Sequence, residues 1–331
     1  MPWNRPWLLV VLLTLILAMS WWHWRPAGGE ARQVRLLMGT TVEIVAFGDN
    51  QRRLEQAIDA AMDEMARLER LLGNGYPESD PDRINASDSA VTVAAETAAV
   101  LDLGLEIAQL SNGAFDLGLG RLKTLWGMEG PAPRVPDAGA VEAALAGVGP
   151  TALQLDGPQV TRRAAVAIDL GGIAKGEIVD HAVALLRRHG IEQAAVNAGG
   201  DMYLLGRHRD RPWRIGIQHP RQPGEVAATL HLADRAVVTS GDYERFFEQD
   251  GVRYHHLFDP RSGYPADACQ SVTVVAESAV LADALATALF VLGVEDGLAL
   301  LAHFPGSDAL MIDAAGRQHL SAGMAAWLEQ P

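Results

Sequence analysis

The chain has a single cysteine, Cys269, among its 331 residues. That excludes an intramolecular disulfide and any zinc site built on thiolates. Two phosphate-binding signatures are missing as well. Neither G-x-x-x-x-G-K-[ST] nor G-x-G-x-x-G occurs, so a nucleotide held here is held neither by a P-loop nor by a dinucleotide-binding turn. Positive charge is scarce. With 27 Lys and Arg against 41 Asp and Glu, the formal net charge is -14, which argues against a general affinity for nucleic acid or for anionic lipid. Any phosphate must be held by local geometry or by a metal. What remains is a globular composition: 49% hydrophobic and 21% charged residues suit one large domain, or two intimate lobes, with a full core.

The N-terminus carries the long hydrophobic run. Trp7 to Trp24 (WLLVVLLTLILAMSWWHW) is nearly free of charge and lies between Arg5 and Arg25, with the length of a bilayer-spanning helix. Residues 1–24 read as a signal anchor. Ala18-Met19-Ser20 offers a small-x-small cleavage pattern, while Trp21, Trp22 and Trp24 resemble an interfacial aromatic belt. Residues 25–33 read as a linker, and 34–331 as the folded domain.

Along that domain, Val34 to Phe47 is strand-like with a break at Met38-Gly39-Thr40, where the glycine predicts a bulge or the close approach of a ligand. Leu54 to Leu72 has helical apolar spacing and a charged opposite face. Gly73 to Asp88 is a polar turn region holding Tyr76, an aromatic open to packing or to ligand contact. Val91 to Leu110 reads as a helix, and SNGAFDLG at 111–118 as a glycine-rich turn with an aromatic and an acid. The loop 129–136 is the weakest internal boundary. Val141 to Leu145 reads as a short helix; Leu153 to Val160 and Ala165 to Leu170 read as strands.

The segment from Ile168 to Asp180, IDLGGIAKGEIVD, is a strand running through a glycine turn into a helix. Backbone N–H groups and the helix dipole make such a turn receptive to an anion. Asp169 would repel a phosphate unless it holds a metal or touches an uncharged part of the ligand. Gly190 closes the helix. Ala194 to Val196 is a buried strand ending in NAGGD, where a ligand approach and a plain hairpin turn are both open. Trp213 to Gln218, Ala227 to Leu232 and Ala236 to Thr239 read as antiparallel strands. HHLFDPRSGYP at 255–265 concentrates histidine, aspartate and arginine at a turn, suited to a general base or a substrate clamp. From Ser278, a plausible N-cap, to Gly293 runs an apolar helix in which Asp283 and Thr287 stand one turn apart. Two oxygen donors on one buried face invite a hard cation such as magnesium. The alternative is a carboxylate satisfied by Thr287.

Met38-Gly39-Thr40, Ala114-Phe115-Asp116, IDLGGIAKG, NAGGD, TSGDYERFF, HHLFDPRSGYP and ADALATALF occur in this order. The series resembles the ApbE family, the FAD:protein FMN transferases, from about Val34 to Phe304. The resemblance implies transfer of the FMN half of FAD, with Mg2+, onto a threonine or serine hydroxyl of an acceptor flavoprotein, with release of AMP. It implies magnesium at the Gly172 carbonyl, Asp283 and Thr287. It implies FAD contacts at Met38, Tyr76, Ala114, Phe115, Asp116, Asp169 and Lys175, and His256 and Asp259 as candidates for activating the acceptor hydroxyl. The chain departs from the family where serine usually opens the turn, reading instead Gly73-Asn74-Gly75-Tyr76. An FAD pyrophosphatase giving FMN and AMP, or an exported flavin-binding protein without turnover, would share much of this pattern. The expected fold is α+β with mainly antiparallel sheets, because strands and helices do not alternate. Two lobes would enclose a flavin cleft behind an N-terminal transmembrane helix. The expected location is the bacterial inner membrane, with the catalytic domain in the periplasm.

Overall fold

The structure, a computed structural model, describes residues 29–128, 130, 132–162 and 166–329. The apolar run Trp7 to Trp24, the linker up to Gly28, Glu129 and Ala165 lie outside the described residues. Among the described residues, no helix is long and apolar enough to cross a membrane.

Strand β1 (Gly29–Leu37) begins within the stretch read as linker and pairs antiparallel with β2 (Thr40–Gly48). The break at Met38-Gly39 is a two-residue hairpin turn rather than a bulge. Both residues take positive φ, 53° and 67°, the twist that closes a tight hairpin. The polypeptide then enters α1 (Gln51–Leu72), capped by the Asn50 side chain; Leu54, Ile58, Ala61, Met65, Leu68 and Leu72 form its buried stripe. The polar region that follows holds a short helix, α2 (Asp80–Ala86). Val91 and Thr92 form a short strand, β3 (Val91–Thr92), so the next helix, α3 (Ala95–Leu110), starts later than its periodicity predicts. Buried Asp80 accompanies the late start: its carboxylate accepts hydrogen bonds from Ala94 N and Thr97 Oγ1 and so pins the residues where α3 opens.

Helices α4 (Gly120–Trp126) and α5 (Ala138–Leu145) follow. The segment 153–160 is not one strand but part of a hairpin, β4 (Leu153–Asp156) and β5 (Gln159–Arg162), turning at Gly157 with φ 53°. Residues 166–170 form no regular strand. Ala167 makes one parallel bridge to Leu119, and Asn85 clamps Ile168 through both its N–H and its carbonyl.

Helix α6 (Ala174–Arg188) leads to β6 (Gln193–Ala198) and β7 (Asp201–Leu205). NAGGD is a hairpin turn, with Gly199 and Gly200 at φ 67° and 105°. Then come β8 (Trp213–Gln218), β9 (Val226–Leu232), β10 (Arg235–Gly241), β11 (Phe246–Gln249), β12 (Val252–His255) and β13 (Cys269–Ala276). The chain ends through α7 (Ala279–Leu292), α8 (Val294–Leu301), β14 (Asp308–Asp313) and β15 (Gln318–Leu320).

Eight strands form one antiparallel sheet in the order β1-β2-β6-β7-β10-β13-β14-β15. The expected α+β class with antiparallel sheets holds. Helices α1, α6 and α7 supply the main core on one face of the sheet. The opposite face is sealed by the β8–β9 hairpin with Met324, Trp327 and Leu328. A separate cluster gathers around fully buried Trp126, with Phe247, Tyr254, Phe258 and Tyr264 on the β11–β12 side. Strands β2 and β7 run away from the turns at 38–39 and 199–200, and α6 runs away from Lys175. The sheet therefore has one end crowded with the sequence motifs and another that carries Gly29.

Candidate active site

The crowded end is assembled from residues far apart in the chain. Lys175, in the first turn of α6, forms an ion pair with buried Asp201 at the start of β7. Burial works against the Lys175 charge, but Asp201 and Asp283 outweigh it and hold its pKa above the usual lysine value. Burial pushes the Asp201 carboxyl up, against the pull of Lys175 and Arg245.

Asp283 is 5% exposed. One of its oxygens accepts a hydrogen bond from Gly176 N at 3.1 Å. Burial and the Asp201 charge push its pKa well above the carboxylate range, which Lys175 only partly offsets. Such a group is stabilised by a cation. Thr287 stands one turn further along α7, with its hydroxyl 3.5 Å from Ser240 Oγ. A Cβ placed on Gly172 would lie 3.6 Å from Thr287 Oγ1 and 3.4 Å from the Phe115 ring. Gly172, Asp283 and Thr287 thus belong to one neighbourhood. All their donors are hard oxygens, and the described residues hold no cluster of three His, Cys, Asp or Glu. That donor chemistry fits magnesium, which takes one or two carboxylates and completes its shell with water and phosphate, and does not fit zinc.

Asp169 is paired with Lys123 of α4 and accepts from Gly171 N. Burial alone would raise its pKa; Lys123 and the Gly171 N–H reverse that, leaving the carboxylate ionised. The sequence reading missed Lys123. Its signal was a lone cation in the apolar run Leu122 to Trp126. Asn74 and Asn85 were missed too: both donate to the Ile168 carbonyl, and so tie the Tyr76 loop to the residue before Asp169. Asn74 is part of the stretch that departs from the family pattern. Tyr76 is 36% exposed, its ring over Gly73 and its hydroxyl bonded to Glu69.

Ala114 and Phe115 are buried, and Phe115 N is already taken by Ser111 Oγ. Asp116 accepts from Gly118 N, and burial raises its pKa. Met38 sits in the β1–β2 turn, whose Gly39 lies near the Arg245 guanidinium. His256 places Nδ1 3.3 Å from the Arg245 carbonyl. That carbonyl can only accept, so Nδ1 carries the proton and Nε2 presents a lone pair. Burial pushes the imidazole pKa down to about 3, with the Lys123 and Arg245 charges adding to the effect. The structure places Asp259 differently from a free base. Its carboxylate is occupied by Arg261 through the backbone N, Nε and Nη2, and its backbone organises the turn at 259–264.

A cation-seeking carboxylate and hydroxyl beside a lysine, at the end of an antiparallel α+β sheet, define a phosphate-handling protein. By family it is more specific: the ApbE family model matches residues 38–311, and the chain belongs to the ApbE family. It is similar to the FAD:protein FMN transferase of Treponema pallidum (strain Nichols), at 35% identity over 350 residues, covering 96% of this chain and 94% of that one. A FAD:protein FMN transferase of Klebsiella pneumoniae (strain 342) is 34% identical over 284 residues, covering 84% and 87%. Among solved structures, the ApbE protein of Thermotoga maritima is similar with a TM-score of 0.84 at 35% identity, covering 91% of this chain and 100% of that one. The flavin transferase ApbE from Vibrio cholerae gives 0.80 at 31%, covering 91% and 100%.

Proposed function

We propose that the chain is an enzyme that moves the FMN half of FAD onto a threonine or serine hydroxyl of an acceptor flavoprotein and releases AMP. The observation that carries this reading is the juxtaposition of Asp283, Thr287 and Gly172 beside Lys175, in a family whose named relatives are FAD:protein FMN transferases. FAD would lie between the sheet end and the Trp126 cluster, because Lys123 and His256 come from that cluster's side and Lys175 and Asp283 from the other. Met38, Tyr76, Ala114, Phe115, Asp116, Asp169 and Lys175 are the proposed contacts. Gly172, Asp283 and Thr287 would hold magnesium, which when bound supplies neutralising charge to the pyrophosphate.

Lys175 adds fixed positive charge without needing to move. The acceptor oxygen bonds to the FMN phosphorus as the pyrophosphate P–O bond breaks; AMP leaves with the bonding pair, and the hydroxyl proton passes to His256 Nε2. A weak base suffices there. In a loose phosphoryl-transfer transition state the nucleophile is only slightly deprotonated, so orienting it counts for more than basicity. Asp259 holds the turn that presents His256. The apolar run at Trp7 to Trp24 supports a chain anchored in the bacterial inner membrane, with the folded part in the periplasm.

The test mixes the full chain with FAD, a magnesium salt and a threonine-bearing flavin acceptor domain, and reads AMP release and covalent flavin fluorescence on a denaturing gel. Equal yields of AMP and labelled acceptor, both lost with a chelator, are expected. AMP with free FMN and no label would replace the reading with FAD hydrolysis. Bound FAD without AMP would leave a flavin-binding protein.

A further inference from the structure

The end of the sheet remote from the motifs has its own composition. Gly29, where the described chain begins, pairs with Gly48 and abuts Gln51 at the head of α1. Arg52 and Arg53 are exposed there, and Arg53 donates to the His189 carbonyl at the tail of α6, beside exposed Arg187 and Arg188. The loop after β7 lies alongside: Gly206 packs on the Glu192 backbone just ahead of β6, whose Gln193 pairs with Phe47. That loop exposes Arg207, Arg209 and Arg211. Its His208 stacks on Trp213 at 5.0 Å and meets Phe47 at 5.1 Å, with the Arg209 guanidinium over the Phe47 ring.

The exposed acids at this end include Glu30, Asp49, Glu55, Glu192, Asp210, Asp234 and Glu277; Asp234 is committed to Arg187 and to Gly206 N, and Glu277 lies 3.8 Å from Arg235. Arginines and acids nearly balance here, in a chain whose net charge is -14. The rest of the molecule is therefore strongly acidic. On average, a negatively charged bilayer repels the remainder of the molecule more than this end.

We infer that this arginine-and-aromatic end rests on anionic phospholipid headgroups. The inference rests on the anchor reading above, since Gly29 follows the apolar run and Arg25. Guanidinium forks suit phosphate, and a tryptophan with neighbouring rings suits the headgroup level. Strand β1 is nine residues long, so the Met38 turn stands about 30 Å further from the bilayer at ~3.3 Å per residue. The acceptor hydroxyl must then be presented at that height, by a partner whose modified residue is well clear of the membrane.

Cys269 is buried and burial pushes its thiol up to about 12, so an introduced cysteine can be labelled selectively. The full chain, carrying a fluorophore at Asp210→Cys or at Leu36→Cys, is reconstituted with phosphatidylcholine vesicles that contain a headgroup nitroxide quencher, with or without phosphatidylglycerol. Flotation in high salt on phosphatidylcholine alone tests the anchor by itself. The expected result is several-fold stronger quenching at position 210 when phosphatidylglycerol is present. High salt should reduce it to the phosphatidylcholine level, as should combining Arg207→Glu, Arg209→Glu and Arg211→Glu. The label at position 36 should be unquenched throughout. Equal quenching at 210 in both vesicle types, or quenching at 36 as strong as at 210, would overturn the inference even where flotation succeeds. If flotation fails, the anchor reading falls, and quenching at 210 on phosphatidylglycerol vesicles in low salt still decides the surface.

Discussion

At the scale of single residues, Asp283 and His256 carry distinct predictions. Asp283→Asn keeps the size of the side chain and one acceptor for Gly176 N but removes the charge that attracts a cation. AMP release should become undetectable at physiological magnesium, while FAD affinity by equilibrium titration changes little; retained transfer would sink the magnesium assignment. His256→Ala, which removes the group that orients the acceptor hydroxyl as well as the proton acceptor, should lower the turnover number by about a hundredfold or more, with unchanged FAD binding. Asp180 makes the pH prediction. It is held by burial at a pKa of about 6, against a reference of 3.8, while accepting from Ala279 N and Val280 N. Between those values the folded chain binds more protons than the unfolded one. Stability contributed by this group is therefore full below 3.8 and is lost as pH rises through 6, a loss of roughly 3 kcal/mol. In Asp180→Asn, the urea midpoint measured between about pH 4 and 7 should fall less steeply, because the raised carboxyls of Asp283, Asp201 and Asp116 still contribute to the slope; an unchanged slope would show that Asp180 is not among the groups responsible.

At the scale of elements, the meeting of α6 and α7 sets the site. A Cβ on Gly176 would fall 2.3 Å from the Ala279 carbonyl oxygen and 2.5 Å from its carbon, and backbone cannot give way as a side chain can. Gly176→Ala should force the helices apart at a cost of about 1–3 kcal/mol, read by urea unfolding, and should weaken magnesium-dependent activity because Gly176 N also holds Asp283. The sequence showed part of this. Asp283 and Thr287 were legible because helical spacing alone puts them on one face. Ser278, a plausible cap from its type, makes no capping hydrogen bond; Asp180, almost a hundred residues earlier, does the capping. The hairpin at Met38-Gly39 read as a bulge or a ligand approach because a methionine at positive φ leaves no mark in composition. Lys123 with Asp169, Lys175 with Asp201, and Asp259 with Arg261 are pairings made by tertiary structure, or by a turn, that spacing does not encode. Asp259 was a candidate for activating the acceptor hydroxyl because the sequence does not show its carboxylate taken by Arg261.

At the scale of the molecule, the sheet is covered twice, and the second cover lies on the face opposite α1, α6 and α7. Trp327 donates to Asp308 at 3.0 Å, lies under the Arg235 guanidinium and helps to seal the cluster of Leu204, Leu230, Val237 and Leu310. Trp327→Ala should cost about 2–3 kcal/mol, seen as a lower thermal midpoint, with unaltered AMP release at moderate temperature. A comparable loss of turnover would mean that the two faces of the sheet are coupled.

The strand order also sets a sequence of events. Val42 must wait for Ala198, Val237 for Val275, and the Lys175 turn for Asp283, so the contacts that build the site close only once most of the chain is available. The early hairpin can lie against α1, through Arg35 with Asp59 and Asp63, but the oxygen donors of α7 come near the end. A half-delivered chain therefore has no seat for FAD. The cofactor-donating substrate can be captured only by the finished fold.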